Sequence, residues 1–173
     1  RDGYGADLTY VNAAVDGLVP YLSEGDIVAG KSTVPVGTAA ELTPRVEAAG
    51  ATLVWNPEFL REGWAVQDTI DPDRLVVGVS SRFARSTTGE EVDVIAVMKE
   101  VYAPPVAKGT PFIVTDLATA ELVKVSANAF LATKISFINA MAEIAEVVGA
   151  DVTQLADAIG HDARIGRRFL GAG

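Results

Sequence analysis

Helical spacing and short apolar runs take turns along the first two thirds of this chain, and a single long helical pattern replaces them after Thr115. The stretch "ADLTYVNAAVDGLVPYL" spaces its apolar residues at three and four positions and predicts a helix whose last turn Pro20 disturbs. "DIVAGKST" reads as a buried strand ending in polar residues, and "TAAELTPRVEAAG" as a helix closed by Gly50. "ATLVW" and "DRLVVGV" read as strands, "GEEVDVIAVMKEVY" as a helix, and "PFIVT" as a last strand after "APP" and "KGT". This alternation predicts βα units around a mostly parallel sheet.

From Asp116 to Val148 the chain holds neither Gly nor Pro and keeps a helical composition throughout. One helix of that length spans about 50 Å at about 1.5 Å per residue, and its apolar residues cover most of its circumference, so it must be buried on several sides. Gly149 is its expected C-cap. "DVTQLADAIG" then starts another helix, with Asp151 as N-cap, Gln154 at the third position and Gly160 as the stop. The organisation expected is an α/β domain over residues 1–115 and the start of an all-α domain over 116–173.

Composition narrows the chemistry. At 173 residues and 49% hydrophobic, the chain can bury a core as one domain or as one domain and part of another. No apolar run reaches a membrane span and "RDGYGADL" has no signal-peptide character, so a cytoplasmic protein without membrane partners is expected. Fourteen basic against twenty-three acidic side chains, net -9, argue against nucleic-acid partners. With no cysteine, these residues offer no disulfide, thiolate metal site or thiol nucleophile, and the single His161 argues against histidine-based triads and metal sites.

Candidate chemistry gathers at two strand ends and on the long helix. Lys31, Ser32 and Thr33 follow one strand and Asn56 and Glu58 follow another, where ligands of open α/β sheets bind. Ordinary turn chemistry around Pro35 and Pro57 accounts for either segment alone. In "NPEFLREG", Glu58 and Glu62 stand four apart with Arg61 between them, free to pair with either carboxylate or with solvent. On the long helix Lys124 and Asn128 share a face with Glu121, Asn139 and Glu146. Polar groups on such an apolar helix need partners or a solvated cavity; the alternative is an exposed stripe. A buried lysine there either stays charged and binds an oxyanion or loses its proton and acts as a base. "GYGADL" only mimics a GxGxxG loop, since no strand precedes it and Leu8 holds the third glycine position. His161, just past a helix end, reads as a solvated side chain, and Arg167 and Arg168 as solvating a loop.

Taken in order and spacing, "GKSTVPVGT", "NPEFLREGWAVQD", "PDRLVVG", "AELVKVSANAFLATKISFINAMAEIAE" and "DARIGRRFLGAG" resemble the UDP-glucose/GDP-mannose dehydrogenase family over essentially the whole chain. "DPDRLVVG" looks more like its UDP-glucose branch. The resemblance implies the second half of a Rossmann-like NAD-binding domain, followed by a central helical domain that forms a homodimer through the long helix. It also implies oxidation of a nucleotide-sugar C6 alcohol to the acid with two NAD, through a thiol ester on a cysteine. By the same resemblance Thr33 lies near NAD and the reacting C6, Glu58 is the base for thiol-ester hydrolysis, and Glu62 lines the cofactor and sugar pocket. Phe59, Leu60 and Arg61 line the substrate site. Lys124 stabilises the developing oxyanion, Asn128 hydrogen-bonds the reacting oxygen or its water, Arg164 reaches substrate across the dimer interface, and Phe169 and Leu170 open a covering loop.

Family members also carry a GxGxxG loop, a nucleophilic cysteine and a second nucleotide-binding domain that this sequence does not contain, so the 173 residues alone are expected to be inactive. Other readings are a GDP-mannose or UDP-N-acetylmannosamine dehydrogenase, or a fragment that only dimerises or binds nucleotide. The 6-phosphogluconate and β-hydroxyacid dehydrogenases also place a lysine and an asparagine four apart on a long helix, but they leave "NPEFLREG" unexplained.

Overall fold

The structure, a computed structural model, describes residues 5–80 and 93–173. Gly3 and Tyr4 of the glycine-loop mimic, and residues 89–92 at the start of the helix expected over 89–102, lie outside the described residues. The chain divides into two compact units that meet between Val125 and Ser126.

In the first unit, α1 (Thr9–Leu18) gives way to a 3-10 turn at Val19–Tyr21, because Pro20 has no N–H to continue the ladder. There follow β1 (Ile27–Gly30), α2 (Thr38–Glu47), β2 (Thr52–Trp55), α3 (Ala65–Ile70), β3 (Leu75–Val79), α4 (Val94–Val101), α5 (Ala103–Ala107) and β4 (Phe112–Asp116). Helix α6 (Leu117–Val148) runs on into the second unit. Asp93 caps α4 by accepting from the N–H groups of Ile95 and Ala96 at 3.1 and 3.0 Å. Asp116 caps α6 in the same way, accepting from the Thr119 N–H at 2.8 Å. The Thr119 hydroxyl and N–H hold the Asp116 carboxyl below its ordinary value.

The strands lie in the order β1-β2-β3-β4. Pairing of β1 with β2 and of β3 with β4 is parallel, but the two pairs join antiparallel at Trp55 and Gly78. The mostly parallel expectation thus holds, with one antiparallel joint at the middle. Between β2 and β3 the chain offers only a loop and the six-residue α3, too short a helix to cover a parallel crossover, and it turns back on itself. The carboxyl ends of β1 and β2 therefore share an edge with the start of β3.

Alternation along the strands builds one core on each face. Leu53, Trp55 and Val76 pack with Val15 of α1, Ala39, Leu42 and Val46 of α2, and Leu117 and Ala120 of α6. Val54, Val77 and Val79 point the other way and pack with Val94 and Met98 of α4. With helices on both faces, β3 is buried along its whole length.

Two glycines in one cross-strand row set how closely these layers approach. Gly30 is in register with Trp55, and a Cβ on it would lie 2.1 Å from the indole ring. A Cβ on Gly78 would lie 2.5 Å from that of Ala120 and 2.9 Å from the Asp116 carbonyl oxygen, so the start of α6 rests on bare backbone. From there α6 runs back across the sheet toward the ends of β1 and β2.

In the second unit, α6 ends at Gly149 in the left-handed region (φ 71°), as expected. Asp151 caps α7 (Val152–Gly160) by accepting from the Thr153 and Gln154 N–H groups at 2.7 and 3.2 Å. The helix stops at Gly160 as expected, though not through a left-handed glycine. Gly160 is the last helical residue, His161 caps it in right-handed conformation, and a Cβ at 160 would lie 2.5 Å from Arg167 Cγ. Glycine is there to let Arg167 close in. Nor is α6 covered on several sides, since Leu122, Phe130, Phe137, Ile144 and Val147 are exposed on this chain, the last at 86%.

Candidate functional site

The polar residues after β1 and β2 divide sharply between interior and surface. Asn56, only 1% exposed, donates from Nδ2 to the Val76 carbonyl at 2.8 Å and so stitches the end of β2 to β3. Its Oδ1 accepts from Lys31 Nζ at 3.0 Å and from the Tyr102 hydroxyl, while Lys31 also donates to the Asn56 carbonyl at 3.3 Å. Both polar atoms of the amide thereby have protein partners, and Asn56 acts as a structural bolt between β2, β3, Lys31 and Tyr102. Thr33, Glu58 and Glu62, by contrast, are exposed.

Arg61 chooses neither glutamate. Its Nε donates to both oxygens of Asp68 at 3.1 and 3.0 Å, its guanidinium closes an ion pair with the same carboxylate, and its backbone N–H adds a bond of 2.8 Å. The guanidinium also lies over the Trp64 ring, 5.5 Å from the centroid. Residues 56–64 consequently form a clamped loop with no helical turn between Glu58 and Glu62. Hydrogen bonds from the Arg61 side chain, then from its backbone, lower the Asp68 carboxyl from 3.8 to about 2. A pKa lower in the folded chain contributes stability that is whole above the ordinary value and is lost as pH falls from 3.8 toward about 2. Asp68→Asn should flatten that limb of the acid unfolding curve; an unaltered limb would mean the clamp contributes nothing.

Phe59 is where the loop meets α6. The Arg74 guanidinium lies 3.8 Å from its ring centroid and Lys124 Nζ 5.4 Å from it. One turn earlier on the helix, Glu121 is buried and accepts from the N–H groups of Gly37 and Ala39, both at 2.7 Å. The segment that follows β1 and carries Thr33, the segment that follows β2 and carries Glu58, and the Lys124 turn of α6 thus converge at one edge of the sheet. Of the helix stripe read from sequence, Glu121 is interior, Lys124 is half-buried, and Asn128 and Glu146 are exposed.

Within the second unit, Lys134 Nζ donates to the carbonyls of Ile165 and Gly166 at 3.0 and 3.3 Å and holds the turn that carries Arg164. Arg164 is ion-paired with Asp162 of the same turn, Nη2 to Oδ2 at 2.6 Å, and is otherwise exposed. Phe169 adopts a positive φ of 64° and is exposed, whereas Leu170 is buried. Sequence reasoning gave no role to Tyr102, Asp68 or Lys134, and did not find the partners of Lys31 or Arg74. Most of their partners lie far off in sequence, and Arg61 meets Asp68 seven residues on across a loop and not along a helix, so only the "KST" strand end and the "DPDR" run hinted at them.

An open α/β sheet with helices on both faces and polar side chains grouped beyond its strand ends is the architecture of nucleotide-binding enzymes. Residues 1–106 match the NAD binding domain of the UDP-glucose/GDP-mannose dehydrogenase family and residues 118–173 its central domain, and the chain belongs to that family. It is 46% identical over 173 residues to UDP-glucose 6-dehydrogenase TuaD of Bacillus subtilis, covering 97% of this chain and 35% of that protein. It is 43% identical over 170 residues to UDP-glucose 6-dehydrogenase of Rickettsia prowazekii, covering 97% and 37%. A solved UDP-glucose dehydrogenase from the archaeon Pyrobaculum islandicum superposes with a TM-score of 0.83 at 36% identity, covering 98% of this chain and 38% of that one. The chain thus spans little more than a third of the length of these relatives. No helix among the described residues is long and apolar enough to cross a membrane.

Proposed function

We propose that this chain is part of an NAD-dependent nucleotide-sugar 6-dehydrogenase that converts UDP-glucose to UDP-glucuronate. The observation that carries the reading is the convergence of Thr33, Glu58 and Lys124 segments at one sheet edge, through Phe59 beneath Lys124 and Glu121 on the Thr33 loop. The identity to UDP-glucose 6-dehydrogenases favours UDP-glucose over GDP-mannose.

The reaction balances as alcohol plus water plus two NAD⁺ giving carboxylate, two NADH and three protons. NAD supplies the hydride acceptor when bound. Thr33 and Glu62, polar and exposed beside the strand ends, fit its nicotinamide end. Its pyrophosphate would not sit on α2, because the Glu121 carboxylate already takes the first amides of that helix. Lys124, with Asn128 one turn on, stabilises negative charge as it grows on the C6 oxygen. Glu58 takes the proton of the water that cleaves a thiol ester, whose cysteine lies outside these residues. Phe59, Leu60, Arg61 and Glu62 line the sugar side, and the match to the family's central domain supports a further assignment of Arg164, Phe169 and Leu170 to substrate binding. The exposed apolar length of α6 supports a homodimer paired along that helix.

The test is NADH formation by the full-length enzyme that carries this segment, offered UDP-glucose, GDP-mannose and UDP-N-acetylmannosamine, with light scattering on the same sample. UDP-glucose should give the fastest turnover, two NADH per sugar, and a dimer or a multiple of one. Preference for another sugar, a single NADH per sugar, or an active monomer would each overturn the corresponding part.

A further inference from the structure

We infer that Glu121 is a positioning residue for the chemistry proposed above, an inference that rests on that reading. Its carboxylate is 1% exposed, and the hydrogen bonds it makes among the described residues are to backbone, Oε2 from the Gly37 N–H and Oε1 from the Ala39 N–H, both 2.7 Å. A buried carboxylate is costly unless donors compensate it, and the first turn of a helix offers unpaired N–H groups and the positive end of the backbone dipole. Helix α2 lacks a side-chain cap of its own, because Gly37, at φ 104°, holds the N-cap position. The missing acceptor comes from more than eighty residues away.

A local serine or aspartate cap would satisfy the helix amides equally well. What a remote carboxylate does in addition is lock two segments in register. On one side of the lock is the loop from Ser32 to Gly37, which carries Thr33. On the other is the α6 turn that carries Lys124, three residues and about 4.5 Å further along the axis. Lys124 in turn lies over Phe59 of the Glu58 loop. A single carboxylate, touching neither sugar nor cofactor, therefore sets the spacing between the Thr33 hydroxyl and the Lys124 ammonium. Misplacement of such groups by about 1 Å costs up to about a hundredfold in rate.

The experiment uses Glu121→Gln in the full-length enzyme, where the amide keeps the shape but presents one acceptor where two are needed. We expect kcat to fall about tenfold or more while KM for sugar nucleotide and NAD stays within about twofold. Amide exchange at Gly37 and Ala39 should speed up. The discriminating arm is a cycle with Lys124→Ala: if Glu121 acts through Lys124, Glu121→Gln costs little once Lys124 is gone. Penalties that add in full, or an unchanged kcat, would overturn the proposal. Should Glu121→Gln fail to fold, Glu121→Asp replaces it, keeping the charge with a side chain too short for both amides; full activity of that variant also overturns the proposal. No NADH from the unaltered enzyme would instead overturn the functional reading, whereas unprotected Gly37 and Ala39 amides in unaltered protein would overturn the lock itself.

Discussion

Glu58→Gln in the full-length enzyme should release a burst of NADH and then stall, with the oxidised sugar nucleotide attached to the protein as a thiol ester. Glu58 directly follows Asn56 and Pro57, both buried, and Asn56 is tied to Val76, Lys31 and Tyr102, so the exposed carboxylate projects from a fixed point. In the proposed sequence its base is needed only after both hydrides have left, because water must be deprotonated to cleave the ester. Glutamine preserves the shape and removes the base. Intact mass after mixing with UDP-glucose and NAD should show the adduct on this variant. Glu62→Gln should weaken binding and accumulate none. The reverse pattern would mean that the two carboxylates exchange roles.

Lys124→Ala should lower kcat by about a hundredfold or more with little change in KM, since a charged donor aimed at a growing oxyanion acts mainly in the transition state. Its position is constrained from two directions, by the Phe59 ring at 5.4 Å and by Glu121 one turn back. Asn128→Ala should cost less, because a neutral donor contributes less than an ammonium. Circular dichroism separates this from misfolding: both variants should keep the wild-type melting transition. An unchanged kcat for Lys124→Ala would return the lysine to a solvated stripe.

How much of this was legible depends on whether a partner is near in sequence. Strand β3 was legible because Leu75 to Val79 is apolar or glycine throughout, and Asp151 was legible because the N–H donors it accepts from stand two and three residues on. Helices α3 and α5 were not. The first is six residues in a segment dominated by its flanking motif, and the second starts with consecutive prolines that read as a loop until they are placed in a first helical turn. The antiparallel joint at Trp55 and Gly78 was hidden because nothing local records which way a loop sends the next strand. In the candidate site, polarity marked the strand ends, but polarity does not say which group faces inward. Asn56 and Glu58 look alike in sequence, and only the Val76 carbonyl, twenty residues away, turns one of them into the interior. Arg61 was read as free to pair with Glu58, Glu62 or solvent, and Asp68, seven residues on across a loop, holds it.

The chain's two tryptophans stand at opposite ends of that same segment, and their surroundings make them separate optical reporters. Trp55, 2% exposed and laid over Gly30, emits from an apolar interior and is shielded from soluble quenchers. Trp64, 60% exposed beneath the Arg61 guanidinium, emits from water. Iodide therefore silences the second and spares the first, so the blue residual spectrum follows the integrity of the sheet while the quenchable red component follows the state of the loop. A single unlabelled sample then distinguishes a ligand that closes over residues 56–64 from a treatment that melts the core.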